Sequence, residues 1–143
     1  MIGLLAHKIL EVRFSDTDAM GVVWHGNYLK YFEDAREHFG EVFNLEYLET
    51  HKKGFLMPIA KTSVKHLAPI YYGDKIEIVI KFILHKAAKI EFEYVLKNIK
   101  SQKIVAKGVS TQVFVSASTR GLLLSKPTFF QEWESIQNWI DVS

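Results

Sequence analysis

Apolar and polar positions change their spacing twice along this chain. From His7 to Phe14 they alternate, with Lys8, Leu10, Val12 and Phe14 on one side and Ile9, Glu11 and Arg13 on the other. That alternation predicts a β-strand. Ser15 to Gly26 has turn composition (two Asp, two Gly, one Ser, one Thr) interrupted by Val22-Val23-Trp24. From Asn27 the apolar residues recur every three or four positions: Leu29, Phe32, Ala35, Phe39, Val42 and Phe43, with Lys30, Glu33, Asp34, Glu37 and Glu41 between them. This spacing predicts an amphipathic helix, with Asn27 as its N-cap because the side-chain oxygen can accept an unpaired backbone N–H. A shorter helical piece, Leu45 to Lys53, follows and stops at Gly54.

After Met57-Pro58 the two-residue period takes over. Ile76, Ile78, Ile80, Phe82 and Leu84 alternate with Lys75, Glu77, Val79, Lys81 and Ile83, and Ile90, Phe92, Tyr94 and Leu96 with Glu91, Glu93, Val95 and Lys97. A run from Ile104 to Val115 places Val105, Val109, Val113 and Val115 on one face. The links Tyr72-Gly73-Asp74, His85–Ala88 and Lys100-Ser101-Gln102 are hairpin-sized, which predicts antiparallel neighbours. Past Pro127, the residues Phe129, Phe130, Trp133, Ile136, Trp139 and Ile140 predict a last amphipathic helix. One early helix followed by an antiparallel sheet reads as an α+β domain with the helix covering the sheet.

Composition narrows the picture. At 143 residues, without repeat or linker, the chain is read as one domain over 1–143. Lys+Arg 18 against Asp+Glu 16 gives a net charge of +2, spread rather than gathered in a stripe, so no nucleic-acid partner is expected. Cysteine is absent, which excludes disulfides, a Cys nucleophile and thiolate metal sites. The apolar run Ile2–Ala6 lacks the flanks of a signal peptide, and the stretch from Ile76 to Leu84 is too short to span a bilayer. A cytoplasmic location is the expectation.

Candidate chemistry concentrates between Ser15 and Tyr28. Asp16, Asp18 and Gly21 could open a calcium loop, but its later ligand positions hold Met20 and Asn27, so no metal is expected. A phosphotransferase Asp-x-Asp would need a parallel sheet. Taken alone, Asp16 and Asp18 would close a turn. His25 would be a helix-entrance histidine, and Tyr28, Tyr31, Phe32 and Phe39 would be core.

The whole string from Val12 to Tyr28, VRFSDTDAMGVVWHGNY, resembles the signature of hotdog-fold acyl-CoA thioesterases. It is most similar to the 4-hydroxybenzoyl-CoA thioesterase group, which includes the Tol–Pal-associated bacterial thioesterases. Glu33-Asp34-Ala35-Arg36 and Ala68-Pro69-Ile70-Tyr71-Tyr72-Gly73-Asp74 extend the resemblance, which runs from Ile9 to Val115. The resemblance implies an antiparallel sheet wrapped around one long helix and hydrolysis of an acyl-CoA thioester without a cofactor. It implies Asp18 as catalytic carboxylate, base or nucleophile. It places at His25 the helix-start backbone N–H that polarises the thioester carbonyl, with a side-chain role for the histidine in the Tol–Pal branch. Val23, Trp24, Asn27 and Tyr28 are then substrate-binding, Asp16 holds the loop, and Glu33 is a minor rival carboxylate. Met20 and Trp24 depart from the pattern, and Ser116 stands where relatives often carry Asp.

A helix N-terminus carries partial positive charge and free N–H groups suited to an oxyanion, so the chemistry is coherent. An acyl-carrier-protein thioesterase and a non-catalytic acyl-thioester or interaction module of the same fold are the alternatives. The pair Asp18 and His25 favours an enzyme. Lys65, His66 and Arg120 are conceivable contacts for CoA phosphates. Exposed sheet edges, together with the resemblance, predict a homodimer or homotetramer.

Overall fold

The structure, a computed structural model, describes residues 1–143. Strand β1 (Ile2–Glu11) is followed by a single 3-10 turn at Phe14–Asp16, helix α1 (Asn27–Phe43) and short helix α2 (Tyr47–Lys52). Then come β2 (Phe55–Leu56), β3 (Ile59–His66), β4 (Lys75–Ile83), β5 (Lys89–Asn98), β6 (Ile104–Val113) and β7 (Val115–Ser116). Helix α3 (Thr128–Ser135) and strand β8 (Ile140–Asp141) close the chain. Six strands form an antiparallel sheet in the order β3-β6-β5-β4-β1-β8, while β2 and β7 pair separately. With α1 packed on the sheet, this is the hotdog arrangement that the resemblance implies.

The alternating apolar residues of β4 and β5 all face the helix. Ile76, Ile78, Ile80, Phe82, Ile90, Phe92, Tyr94 and Leu96 are buried in one cluster with Phe32, Ala35 and Phe39 of α1. The Phe32 ring stacks on Tyr94 with centroids 4.1 Å apart and planes 5° apart. Tyr94 is the one polar member of that face. Its hydroxyl accepts from Arg36 Nη1 at 2.9 Å and lies 2.6 Å from Ser110 Oγ, so no buried polar atom of this group is left alone.

Five expectations are corrected. The first strand begins at Ile2 and ends at Glu11, so the apolar run Ile2–Ala6 is β1 itself and Phe14 is exposed beyond it. On α1 the inward stripe is Tyr28, Tyr31, Phe32, Ala35 and Phe39, whereas Leu29 and Val42 are exposed. On β6 the inward face is Ala106, Gly108 and Ser110, and Val109 is exposed. The reason is close approach: a Cβ on Gly108 would lie 2.3 Å from Phe32 Cζ, so this face must be small where the helix crosses it. The Tyr72-Gly73-Asp74 link is no hairpin, because β3 and β4 lie apart in the sheet and the chain crosses between them. Last, the terminal helix stops at Ser135, and Ile140-Asp141 adds a strand beside β1 instead of another turn.

Helix α3 is nevertheless well anchored. Trp133 Nε1 donates to the Phe43 carbonyl at the end of α1 (2.7 Å), and Phe130 and Trp133 are buried beside Phe82. No helix is long and apolar enough to cross a membrane.

Candidate active site

The segment between β1 and α1 is held by one buried carboxylate. Asp16 accepts the Arg13 N–H at 2.9 Å and the Tyr31 hydroxyl at 3.1 Å through Oδ2. Its backbone carbonyl accepts the Trp24 N–H at 2.9 Å and Asn27 Nδ2 at 2.7 Å. One residue therefore ties together the 3-10 turn, the helix entrance and the second turn of α1. Val23 N–H donates to Ile70 O, and an isolated bridge joins Val22 to Tyr71, so the crossing segment Ala68–Asp74 braces the same loop. The Asp16 side chain is spent on structure.

Asp18 is different. Its Oδ1 accepts the Met20 N–H at 2.8 Å, which closes a tight turn, and its backbone exchanges with Val22 and Gly21. No cation pairs with this half-buried carboxylate and its second oxygen has no partner, so an acceptor remains for water or substrate.

The helix entrance also departs from expectation. Asn27 is not the N-cap, because its side chain is turned inward onto Asp16; Gly26 takes that position with no side-chain cap. A Cβ on Gly26 would lie 2.3 Å from the Trp24 ring, which covers the entrance from outside. Neither the His25 nor the Gly26 backbone N–H donates to any backbone or side-chain acceptor. Both lie ahead of the first helical residue, where a side-chain cap, which accepts from the second or third helical N–H, would not reach them. Leaving them open keeps them free for a ligand's oxygen.

A cavity of about 330 Å³ lies at this entrance, lined by Val22, Val23, His25, Tyr28, His66, Leu67, Ala68 and Pro69. Of the residues expected at the site, Val23, His25 and Tyr28 line it; Asp18 and Trp24 flank it in sequence, and Asn27 is scaffold. His66, at the end of β3, meets the Tyr28 ring edge-on with centroids 4.4 Å apart. The β-pattern before Ala68-Pro69 points to a strand there, but only the crossing of the chain brings that strand's end to the helix entrance. Arg120 sits in the turn after β7, outside this cavity. Glu33 lines a larger cavity of about 630 Å³ along α1, with Arg36, Glu37, Phe39 and Gln112. That cavity contains neither His25 nor any other residue of the helix entrance. No three His, Asp or Glu side chains converge closely enough to hold a metal ion.

Burial fixes the protonation of the tyrosines under the loop. The Tyr31 hydroxyl is raised well above its usual range, first by desolvation and then by the Asp16 carboxylate that it donates to. Tyr28 is raised by desolvation. Both folded-state values lie above the unfolded value of about 10, so this stabilisation is whole below about pH 10 and is lost as pH climbs through the folded values. Melting temperature should therefore fall progressively as the pH rises above about 10. Tyr31→Phe should flatten that fall while melting lower at neutral pH, since a hydrogen bond to a charged group contributes about 1.5–3 kcal/mol. Parallel pH profiles for the two proteins would refute this account of Tyr31.

Comparison with known proteins identifies the family. The sequence profile of the thioesterase-like superfamily matches residues 12–140. The chain is 35% identical over 111 residues to a 1,4-dihydroxy-2-naphthoyl-CoA hydrolase of Nostoc punctiforme, covering 76% of this chain and 73% of that one. It is 34% identical over 70 residues to YneP of Bacillus subtilis, a provisionally named acyl-CoA thioesterase. That match covers 49% of this chain and about half, 51%, of the relative. In fold it resembles a DHNA-CoA thioesterase from Staphylococcus aureus, with a TM-score of 0.83, 22% identity, and coverage of 92% of this chain and 89% of that one. A profile that spans the loop before α1, the central helix and strands β2 to β7 settles the assignment: the chain belongs to the thioesterase-like superfamily.

Proposed function

We propose that this thioesterase hydrolyses an acyl-CoA thioester at the entrance of α1. The observation that carries the reading is the uncapped entrance itself. Two consecutive unpaired N–H groups, His25 and Gly26, precede the helix; His25 lines the cavity there, and the open oxygen of Asp18 lies in the loop leading to it. The thioester carbonyl would accept from those N–H groups, which suit the oxyanion that forms when the carbon is attacked. Asp18 would either take a proton from the water that attacks the carbonyl carbon, the CoA thiolate then leaving with that proton, or attack directly, expelling the CoA thiolate and giving a mixed anhydride that water opens to the free acid and Asp18. His25, exposed beside the Trp24 ring, is placed to orient the carbonyl or share the proton.

Within the superfamily we place the chain in the 4-hydroxybenzoyl-CoA and Tol–Pal group on the strength of the Val12–Tyr28 string. Relatives named as 1,4-dihydroxy-2-naphthoyl-CoA hydrolases favour an aromatic acyl group as the first substrate to try. A panel of aromatic and aliphatic acyl-CoA thioesters, with acyl-carrier-protein thioesters beside them, should show release of free thiol. Silence across the panel would leave a binding module as the reading.

The working unit is proposed to be at least a dimer. Strand β3 is an edge strand whose residues from Ile59 to His66 include no buried one, and Ile59 is exposed. Such an edge invites pairing with a second copy. Light scattering during turnover should give twice the chain mass or more; a fully active monomer would overturn this part.

A further inference from the structure

Between the helix and the sheet most polar side chains are occupied. Tyr94 is held by Arg36 and Ser110, and the Tyr31 hydroxyl donates to Asp16. Tyr28, one turn earlier on α1, is different. The residue is only 3% exposed, yet its hydroxyl makes no hydrogen bond to the protein. The one enclosed polar side-chain atom without a partner is His85 Nε2, so the Tyr28 oxygen must reach open space. Long helical side chains lean back toward the N-terminus, and the open space that Tyr28 lines at that end is the entrance cavity. Burial pushes this hydroxyl above its usual range, so it stays a neutral donor at neutral pH.

His66 meets Tyr28 from the sheet. It is in register with Ala106, which is buried two positions before Gly108, so His66 belongs to the inner face that turns toward α1. The single methyl of Ala106 leaves room for the imidazole, whose ring stands edge-on to the Tyr28 ring with centroids 4.4 Å apart. The strand end beneath it is fixed, because the Leu67 and Ala68 N–H groups both donate to the Val105 carbonyl, at 2.9 and 3.1 Å. Neither ring nitrogen of His66 has a partner; the histidines in ion pairs are His7 and His85. A second copy added at the β3 edge would pair with its backbone and leave the inner face turned to the helix. Besides His25, the cavity therefore carries two positioned and unoccupied polar groups in an otherwise apolar lining.

We propose that the Tyr28 hydroxyl and the His66 imidazole hold the water that attacks the thioester. This rests on the thioesterase reading above and deepens it by assigning what positions the nucleophile. The attacking water gives one proton to Asp18 and aims one lone pair at the carbonyl carbon. That leaves it one proton to donate and one lone pair with which to accept. An imidazole nitrogen accepts the first, and the phenol O–H donates to the second. As the O–C bond forms and the C–S bond breaks, the electron pair of the broken bond goes to sulfur. The departing thiolate takes the proton from Asp18, and the water's second proton stays on the product acid. Tyr28 and His66 end as they began. Where Asp18 attacks first, the same water opens the anhydride. Holding the water in place beforehand removes the cost of ordering it during the reaction.

The test uses variants that keep the rings. Tyr28→Phe should lower kcat about 10-fold, the worth of one hydrogen bond, and leave KM within a few-fold. It should melt no lower than wild type, because the hydroxyl it removes has no partner in the protein. His66→Phe should show the same loss in kcat, and His66→Gln should recover part of it by returning a hydrogen-bonding group to that place. Hydroxylamine gives a readout that a structural role would not move. It attacks the same acyl group without the held water. After subtraction of the uncatalysed reaction, the ratio of hydroxamate to free acid should therefore rise in Tyr28→Phe and His66→Phe. A wild type silent on every acyl thioester would sink the thioesterase reading and this water with it. With an active wild type, an unchanged kcat, a loss confined to KM, a lower melting temperature of Tyr28→Phe or an unchanged product ratio would each overturn the proposal alone.

Discussion

Asp18→Asn should lower turnover by roughly 10²-fold or more while changing substrate affinity only a few-fold. The substitution is a clean one here. The turn that Asp18 closes uses one side-chain oxygen as acceptor for the Met20 N–H, and an asparagine oxygen serves the same bond. What is lost is the charge and the second oxygen, which is the part with no structural task. Asp16→Asn gives the contrast, because the Asp16 carboxylate accepts from both Arg13 and Tyr31 inside the protein. Weakening those bonds should show first in melting temperature. His25→Ala keeps the backbone N–H and should be milder than Asp18→Asn; a loss of equal depth would show that the imidazole takes part. Near-wild-type turnover in Asp18→Asn, measured by thiol release, would remove Asp18 from the chemistry.

Much of this fold could be read from spacing because β4 and β5 are each buried on one face only, so their apolar residues alternate without interruption. Helix α1 was legible for the same reason: Phe32, Ala35 and Phe39 of the predicted stripe are buried, as are Tyr28 and Tyr31, read as core, while Leu29 and Val42 are exposed. Strand β6 misled because its inward residues are small. Periodicity weighs bulk, and Val109 outweighs Gly108 although the core demands the glycine. At the site, the Asp-x-Asp string marked Asp18 and His25, but no local pattern separates a carboxylate that anchors a loop from one left open. That distinction needs the Tyr31 hydroxyl, which reaches Asp16 from fifteen residues away. His66 was invisible as a cavity residue for a related reason: the crossing of the chain from β3 to β4 is a property of the sheet order and leaves no trace in spacing.

Phe32→Ala should be the most destabilising single change on α1, costing about 3–5 kcal/mol. Phe32 is fully buried, lies flat on Tyr94, and fills the space that Gly108 leaves beneath the helix. The cavity that remains cannot close easily, because Tyr94 is held by Arg36 and Ser110 and the sheet beneath is continuous. For a domain of this size such a loss should lower the melting temperature on the order of 10 °C or more. Gly108→Ala with Phe32 intact forces the opposite error, since its Cβ would meet a ring that has nowhere to go; overpacking of this kind costs about 1–3 kcal/mol. The double variant Phe32→Leu/Gly108→Ala returns some of the volume on the other side of the contact. It should therefore melt higher than the sum of its single variants predicts, as expected for residues in direct contact. Strict additivity of the two would mean that the helix does not rest on the sheet through this pair. The residual activity of Phe32→Ala below its melting point should stay close to wild type, because the helix entrance is pinned separately by Asp16, Asn27 and Tyr31.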